Sequence, residues 1–295
     1  MPPLFPLTLA LYAVSCTLYF LATAQPQQRI ALRLALPVLL LAFSTQALDI
    51  GWLCLHGQHP GSSAREATFF IAWLMAGAFP LLTYRQPIPL LGALLLPVAM
   101  MMGLLARLVP ATATQPAGLF QAGHRALAVT HIFASTLGTA LFGVAAAASV
   151  VYLLREKRLK GKLPIGKLPL GTDGSQPRVS LETLDTWNRQ SISFGFLCFT
   201  TALVTGTVWL MVVPQPDAPP AGSGLWETTL FLIRRPQYSL SVVTWLLYAG
   251  LLYGRVTVGL RGKRAAAVTL YGFALALGIL LVYLLRDTPA KVLSS

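Results

Sequence analysis

Apolar stretches about 20 residues long recur along this chain, each closed by a polar or Pro/Gly-rich segment, as in helices that cross a lipid bilayer. They cover approximately 4–24, 31–55, 67–84, 88–109, 127–154, 190–213, 237–256 and 265–286. The pattern predicts an all-α polytopic transmembrane bundle of about eight spans, a single integral membrane domain over residues 1–295. The break between the third and fourth spans falls at Arg85-Gln86-Pro87, where Pro87 and Pro89 favour a reversal. The last break falls at the Gly/Arg turn near 261. The first apolar run lacks the positively charged start of a secretory signal and is longer than a typical signal core, so it is read as a retained span.

Two longer polar segments interrupt this rhythm. Residues 155–189 are expected to form a basic loop in which Pro164, Pro169, Gly171 and Pro177 precede SLETLDTW, with Ser180 capping a short amphipathic helix. Residues 214–236 form the other loop, Pro/Gly-rich at first and then amphipathic, with Trp226 suited to a membrane interface. No internal repeat is evident, and nothing marks a separate soluble domain.

Basic residues orient the spans. Loops after the first, third, fifth and seventh spans hold 15 Lys and Arg, against 7 on the opposite side. The positive-inside rule therefore predicts both termini on the non-cytoplasmic face, a cytoplasmic 155–189 loop and an external 214–236 loop. All four histidines, His56, His59, His124 and His131, fall on the outer side, where the 214–236 loop is placed to cover them like a lid.

Composition agrees with a membrane protein. At 55% hydrophobic, 11% charged and a mean hydropathy of +0.67, the chain has too little charge to cover a soluble globule of its size. A net charge of +13 would suggest nucleic acid in a soluble protein. Here the bases gather in short loops, where anionic lipid holds them. No stretch interleaves bases with aromatics, so the lipid bilayer is the expected partner and nucleic acid is not. Cys16, Cys54 and Cys198 form no CxxC pair and imply neither a disulfide framework nor a thiolate metal site. Phosphate-loop, HExxH and GxSxG motifs are absent and the nine acids are scattered, so the expectation is a protein that is not an enzyme.

The candidate chemistry lies at the outer end of the fifth span. His124 and His131, seven residues apart, share a helical face but lie about 10 Å apart along the axis, too far for one small metal ion. The same face continues through Ser135 and Gly138, a stripe against which a flat ligand could lie with His131 as axial ligand to haem iron. Alternatively, His131 hydrogen-bonds a neighbouring helix and the small residues only permit close packing, as Gly143 to Ser149 are expected to do deeper in the span. Arg234 and Arg235 could pair with haem propionates, and Trp226 could stack on a porphyrin; interfacial anchoring is the alternative for each. His56 and His59 have spacing acceptable for a metal or are simply interfacial. Asp49, the one acid inside an apolar span, is either functional or an interfacial group hydrated or paired with an outer Arg.

Long segments of this chain resemble a known family. THIFASTLGTALFGVAAAASVVYLLREKRLKGK, LPLG, LETLDTWNRQSISFGFLCFTTALVTGTVWL and SLSVVTWLLYAGLLYGRVTVGLRGKRAAAVTLYGFALALGILLVYL are similar to the cytochrome c assembly proteins of the CcsA, CcmC and HemX group. The likeness covers roughly residues 125 to 286 and is nearest the HemX-like, or YpjD-like, branch. HPGSSAREATFFIAW, with Pro60, Glu66 and Trp73, is similar to another family segment.

The resemblance implies a bundle of about eight helices in a bacterial inner membrane that binds or delivers haem. Its implied protein partner is a cytochrome c assembly subunit or an apocytochrome. His131 matches the family's external histidine before the Trp-rich region, and Ser239, Trp245 and Tyr248 match the helix after it. The Trp-rich signature is reduced here to Trp226-Glu227, no histidine follows His131, and Gln46 stands where relatives have a histidine. These departures leave open a HemX-like subunit or regulator that binds a protein partner without haem.

Overall fold

A computed structural model describes residues 2–24, 29–58, 60, 62–83, 88–108, 125–161, 180–213, 219 and 223–286. Among them every regular element is a helix: α1 (Phe5–Ala24), α2 (Arg29–Leu55), α3 (Ala64–Thr83), α4 (Pro89–Leu108), α5 (Arg125–Leu159), α6 (Leu181–Val212), α7 (Leu225–Ile233), α8 (Pro236–Thr257) and α9 (Gly262–Arg286). Seven of these, all but α3 and α7, are long and apolar enough to cross a membrane. α3 has 20 residues, about 30 Å of helix, and packs on α4 and α5. It corresponds to the remaining predicted span.

Helix ends follow local chemistry. Gly57, with φ +77°, lets Gln58 N–H reach the Leu53 carbonyl at 2.8 Å and Gly57 N–H reach that of Cys54, which ends α2 in a Schellman turn. After α8, Gly259 has φ +65°, and the Gly254 carbonyl accepts from both Val258 N–H and Leu260 N–H, a wider closure than at α2.

Two of the predicted loops shrink. Ser180 does cap a helix, its Oγ accepting the Thr183 amide at 3.0 Å, but this helix is α6 itself and not a separate short one. No Gly or Pro interrupts Leu181 to Ser191, and Leu184, Asn188, Ser191 and Ile192 continue the buried stripe of the sixth span. At the other side of that loop, α5 continues to Leu159; residues 162–179 lie outside the described part. Within 214–236, α7 is helical and α8 already begins at Pro236.

α5 is the axis of the bundle. Every residue from Phe142 to Ser149 is buried, because Gly143 and the following alanines admit α3, α6 and α9 closely, as expected for that run. On one side, α1 to α4 pack through Tyr19, Leu39, Met75, Phe79 and Leu95; on the other, α6, α8 and α9 pack through Ile192, Phe199, Tyr248 and Ala276.

α5 and α6 meet in a strictly antiparallel register. His131 meets Ala202, Gly138 meets Gly195 and Ala145 meets Asn188, each step being seven residues on both helices. That spacing is the seam of a left-handed helix pair.

Candidate functional site

His131 lies about two turns into α5, half-buried against α6. Its Nδ1 is 2.8 Å from the Ala202 carbonyl oxygen and 3.4 Å from Thr205 Oγ1. A carbonyl only accepts, so the proton sits on Nδ1 and Nε2 keeps its lone pair. No described residue bonds Nε2. Gly206 lies alongside, where a Cβ would come within 2.8 Å of the imidazole Cε1 and 3.1 Å of Nδ1.

The expected open stripe below His131 is instead closed by α6. A Cβ on Gly138 would lie 3.2 Å from both the Gly195 oxygen and the Phe199 nitrogen, and Ser135 Oγ donates to the Ile132 carbonyl of its own helix. A flat ligand therefore has no room against Ser135 and Gly138. The packing role weighed for the small residues holds, and the interhelical hydrogen bond occupies only one of the two nitrogens of His131.

The remaining predicted site residues divide. Trp245 is half-buried on α8, its Nε1–H donating to Thr200 Oγ1 at 2.9 Å and its ring stacked on Phe196. It joins α8 to α6 and does not meet His131. Tyr248 is fully buried, stacked on Phe142 with ring centres 3.9 Å apart, and Ser239 Oγ donates to the Ile233 carbonyl, tying α7 to α8.

α8 pairs Trp245 with Thr200 and Arg255 with Asp185 of α6, so α7, which precedes α8, sits at the His131 end of the bundle. There Trp226 is 72% exposed and Arg234 is exposed, while the Arg235 guanidinium lies 4.6 Å over the Phe231 ring. His124 and His59 lie outside the described residues.

Asp49 and its neighbours are occupied structurally. The Asp49 carboxylate is fully buried and accepts the Leu4 amide at 2.9 Å and Thr8 Oγ1–H at 3.4 Å, capping the start of α1. Its observed partners are thus backbone and hydroxyl groups of α1 and the turn before it, in place of interfacial water. Glu66 is buried in the first turn of α3 and takes a two-pronged bond from Arg107 at 3.0 and 2.7 Å. The Arg107 guanidinium also lies 4.1 Å over the Phe69 ring.

Gln46 accepts Tyr12 O–H at 2.7 Å and donates to the Phe69 carbonyl at 3.0 Å. A cavity beside it, lined by Thr8, Tyr12, Phe69 and Met100, holds barely one water molecule. His56 is exposed, bonded to its own Trp52 carbonyl and tilted on the Trp52 ring; α2 packs chiefly on α1 and α3. No group of three metal-ligating side chains gathers among the described residues.

Sequence reasoning missed a hub at the opposite end. Asn188 donates to the Ala145 carbonyl and Ser149 Oγ, has Thr269 Oγ1 3.4 Å from the same nitrogen, and accepts from Arg255, which also pairs with Asp185. Four helices are crosslinked there. A polar residue on the buried stripe of an apolar helix was the available signal.

The family model described as cytochrome C assembly protein matches residues 62–288. The chain belongs to that family. The match takes in α3 and α4 as well as the segment from α5 to α9.

Among curated relatives, the cytochrome c biogenesis protein CcsA of Heterosigma akashiwo is 23% identical over 239 residues, covering 72% of this chain and 70% of its own. CcsA of Prochlorococcus marinus (strain CCMP1986) is 24% identical over 253 residues, covering 81% and 76%. That of Synechococcus sp. (strain CC9605) is 23% identical over 279 residues, covering 89% and 86%. No solved structure matches the chain.

Toward a haem group the residues present would supply one ligating atom. An imidazole whose Nδ1–H is held by a backbone carbonyl keeps the Nε2 lone pair for a metal. No second described imidazole is directed at the same place, since His56 belongs to α2.

Proposed function

We propose that this family member is a haem-handling membrane protein of cytochrome c biogenesis, in which His131 Nε2 receives haem iron at the outer membrane face. The observation that carries this reading is the hydrogen bond from His131 Nδ1 to Ala202, which leaves Nε2 as the one ligating atom. The family match and the CcsA relatives support the pathway. The outward sidedness rests on the excess of basic residues in the alternate loops, which also puts both termini outside. A bacterial inner membrane is the proposed location.

Haem is cargo in this reading, and the chain acts as carrier, not as enzyme. α7 lies at the same end, where exposed Trp226 offers a stacking face and Arg234 and Arg235 offer guanidinium partners for propionates. The second ligand comes from His124, from an assembly subunit or from the apocytochrome that takes the haem. Purification from haem-replete cells followed by an optical spectrum tests the proposal. The expected result is a Soret band that His131→Ala abolishes; a protein without that band defeats it.

A second reading is a HemX-like subunit or regulator that keeps the fold and binds a protein partner without haem. Gln46 favours it, because its amide is consumed by Tyr12 and Phe69 and offers no ligand at the position where the resemblance implies a histidine. Haem-free purified protein that still copurifies with an assembly subunit supports this alternative.

A further inference from the structure

We infer that α6 is the positioning element for His131 and that Gly206 is the residue that makes the ligand usable. The inference rests on the proposed role of His131 as a haem ligand and concerns what holds its ring.

An imidazole on a helix can rotate about two side-chain bonds, and its two nitrogens compete as ligands until one is occupied. The Ala202 carbonyl resolves that competition by taking Nδ1–H at 2.8 Å, with Thr205 Oγ1 at 3.4 Å as a second neighbour. Thr205 Oγ1 itself donates to the Thr201 carbonyl at 2.7 Å, so its position is set by α6 as well. The ring can approach this closely only because position 206 lacks a side chain. A Cβ there would lie 2.8 Å from Cε1 and 3.1 Å from Nδ1, inside contact distance for both. Cε1 is bonded to Nε2, so any ring shift that relieves the clash also moves the ligating atom.

α6 cannot yield instead, because the Gly138 and Gly195 contact one step further along the seam holds the two helices at backbone distance. Gly206 thus acts through His131 and touches no cargo itself. Loss of an outer partner of a ligating histidine commonly weakens binding about 10- to 100-fold.

The test uses the full chain from haem-replete cells, purified in detergent, with protohaem as probe and the Soret band as readout. Gly206→Ala, His131→Gly and the double variant are compared with and without added imidazole, with a melting curve for each. Expected are about 10- to 100-fold weaker haem binding in Gly206→Ala, loss of the band in His131→Gly, and its recovery with imidazole in both His131→Gly and the double variant. Recovery in the double variant shows that the methyl added at position 206 obstructs the tethered ring and leaves the site otherwise intact.

A wild-type spectrum in Gly206→Ala, with the band lost in His131→Gly, overturns the positioning role and leaves the ligand reading standing. A double variant that imidazole fails to restore also overturns it, because Gly206 then serves the fold. A wild-type spectrum in His131→Gly removes the ligand reading, and the inference with it.

Discussion

Gly138 and Gly195 face each other where α5 crosses α6, so closely that a methyl on Gly138 would lie 3.2 Å from the Gly195 carbonyl oxygen. The obstacle is backbone and cannot rotate away. Gly138→Ala is therefore expected to lower stability by about 1–3 kcal/mol, the usual range for overpacking a tight interface. Denaturant unfolding in detergent measures it. An unchanged midpoint refutes the close contact.

Glu66 and Arg107 form a buried ion pair between α3 and α4, with side chains 5% and 1% exposed. Removing one partner strands a charge, so Arg107→Met is expected to cost about 3–5 kcal/mol. The double variant Glu66→Gln/Arg107→Met should recover part of that loss. A double-mutant cycle checks the sign, and strictly additive losses count against the pair.

Asn188 has the Ala145 carbonyl and Ser149 Oγ within 3.0 Å of its amide nitrogen and accepts from Arg255. Asn188→Ala leaves the buried Arg255 without that acceptor, and a loss of about 1–3 kcal/mol is expected. Thermal melting of the purified variant is the measurement. A loss below about 0.5 kcal/mol, the scatter of ordinary surface substitutions, would show that the four-helix hub is not needed.

Trp226 projects from α7 with 72% of its surface exposed. Trp226→Ala is expected to leave stability within about 0.5 kcal/mol of wild type, as for other exposed substitutions. Under the proposed haem role it should nevertheless reduce holocytochrome c yield in cells that depend on this chain. Full yield from a stably inserted variant removes Trp226 from the receiving surface.

Sidedness has its own test. With Cys16, Cys54 and Cys198 replaced by serine, Leu225→Cys should react with an impermeant maleimide from outside and Lys160→Cys only after the membrane is opened. The reverse pattern would put His131 on the cytoplasmic face.

By itself the sequence determined the class of structure. Apolar stretches long enough to cross a bilayer become helices, since lipid offers no partner for an open backbone. It also singled out His131 and the small-residue run of α5, because both are local features of one span. The family resemblance was legible for a related reason, resting on contiguous segments.

Only the tertiary structure decided what these residues do to one another. The α5–α6 register joins positions such as His131 and Ala202 that lie 71 residues apart, and nothing in either span alone states which carbonyl an imidazole will meet. The same holds for Asp49, which looked functional as a lone acid in an apolar span and became a cap once α1 was laid beside α2. Gly206 showed no function until the ring of His131 was placed against it, because a missing side chain has meaning only through the neighbour that occupies its space.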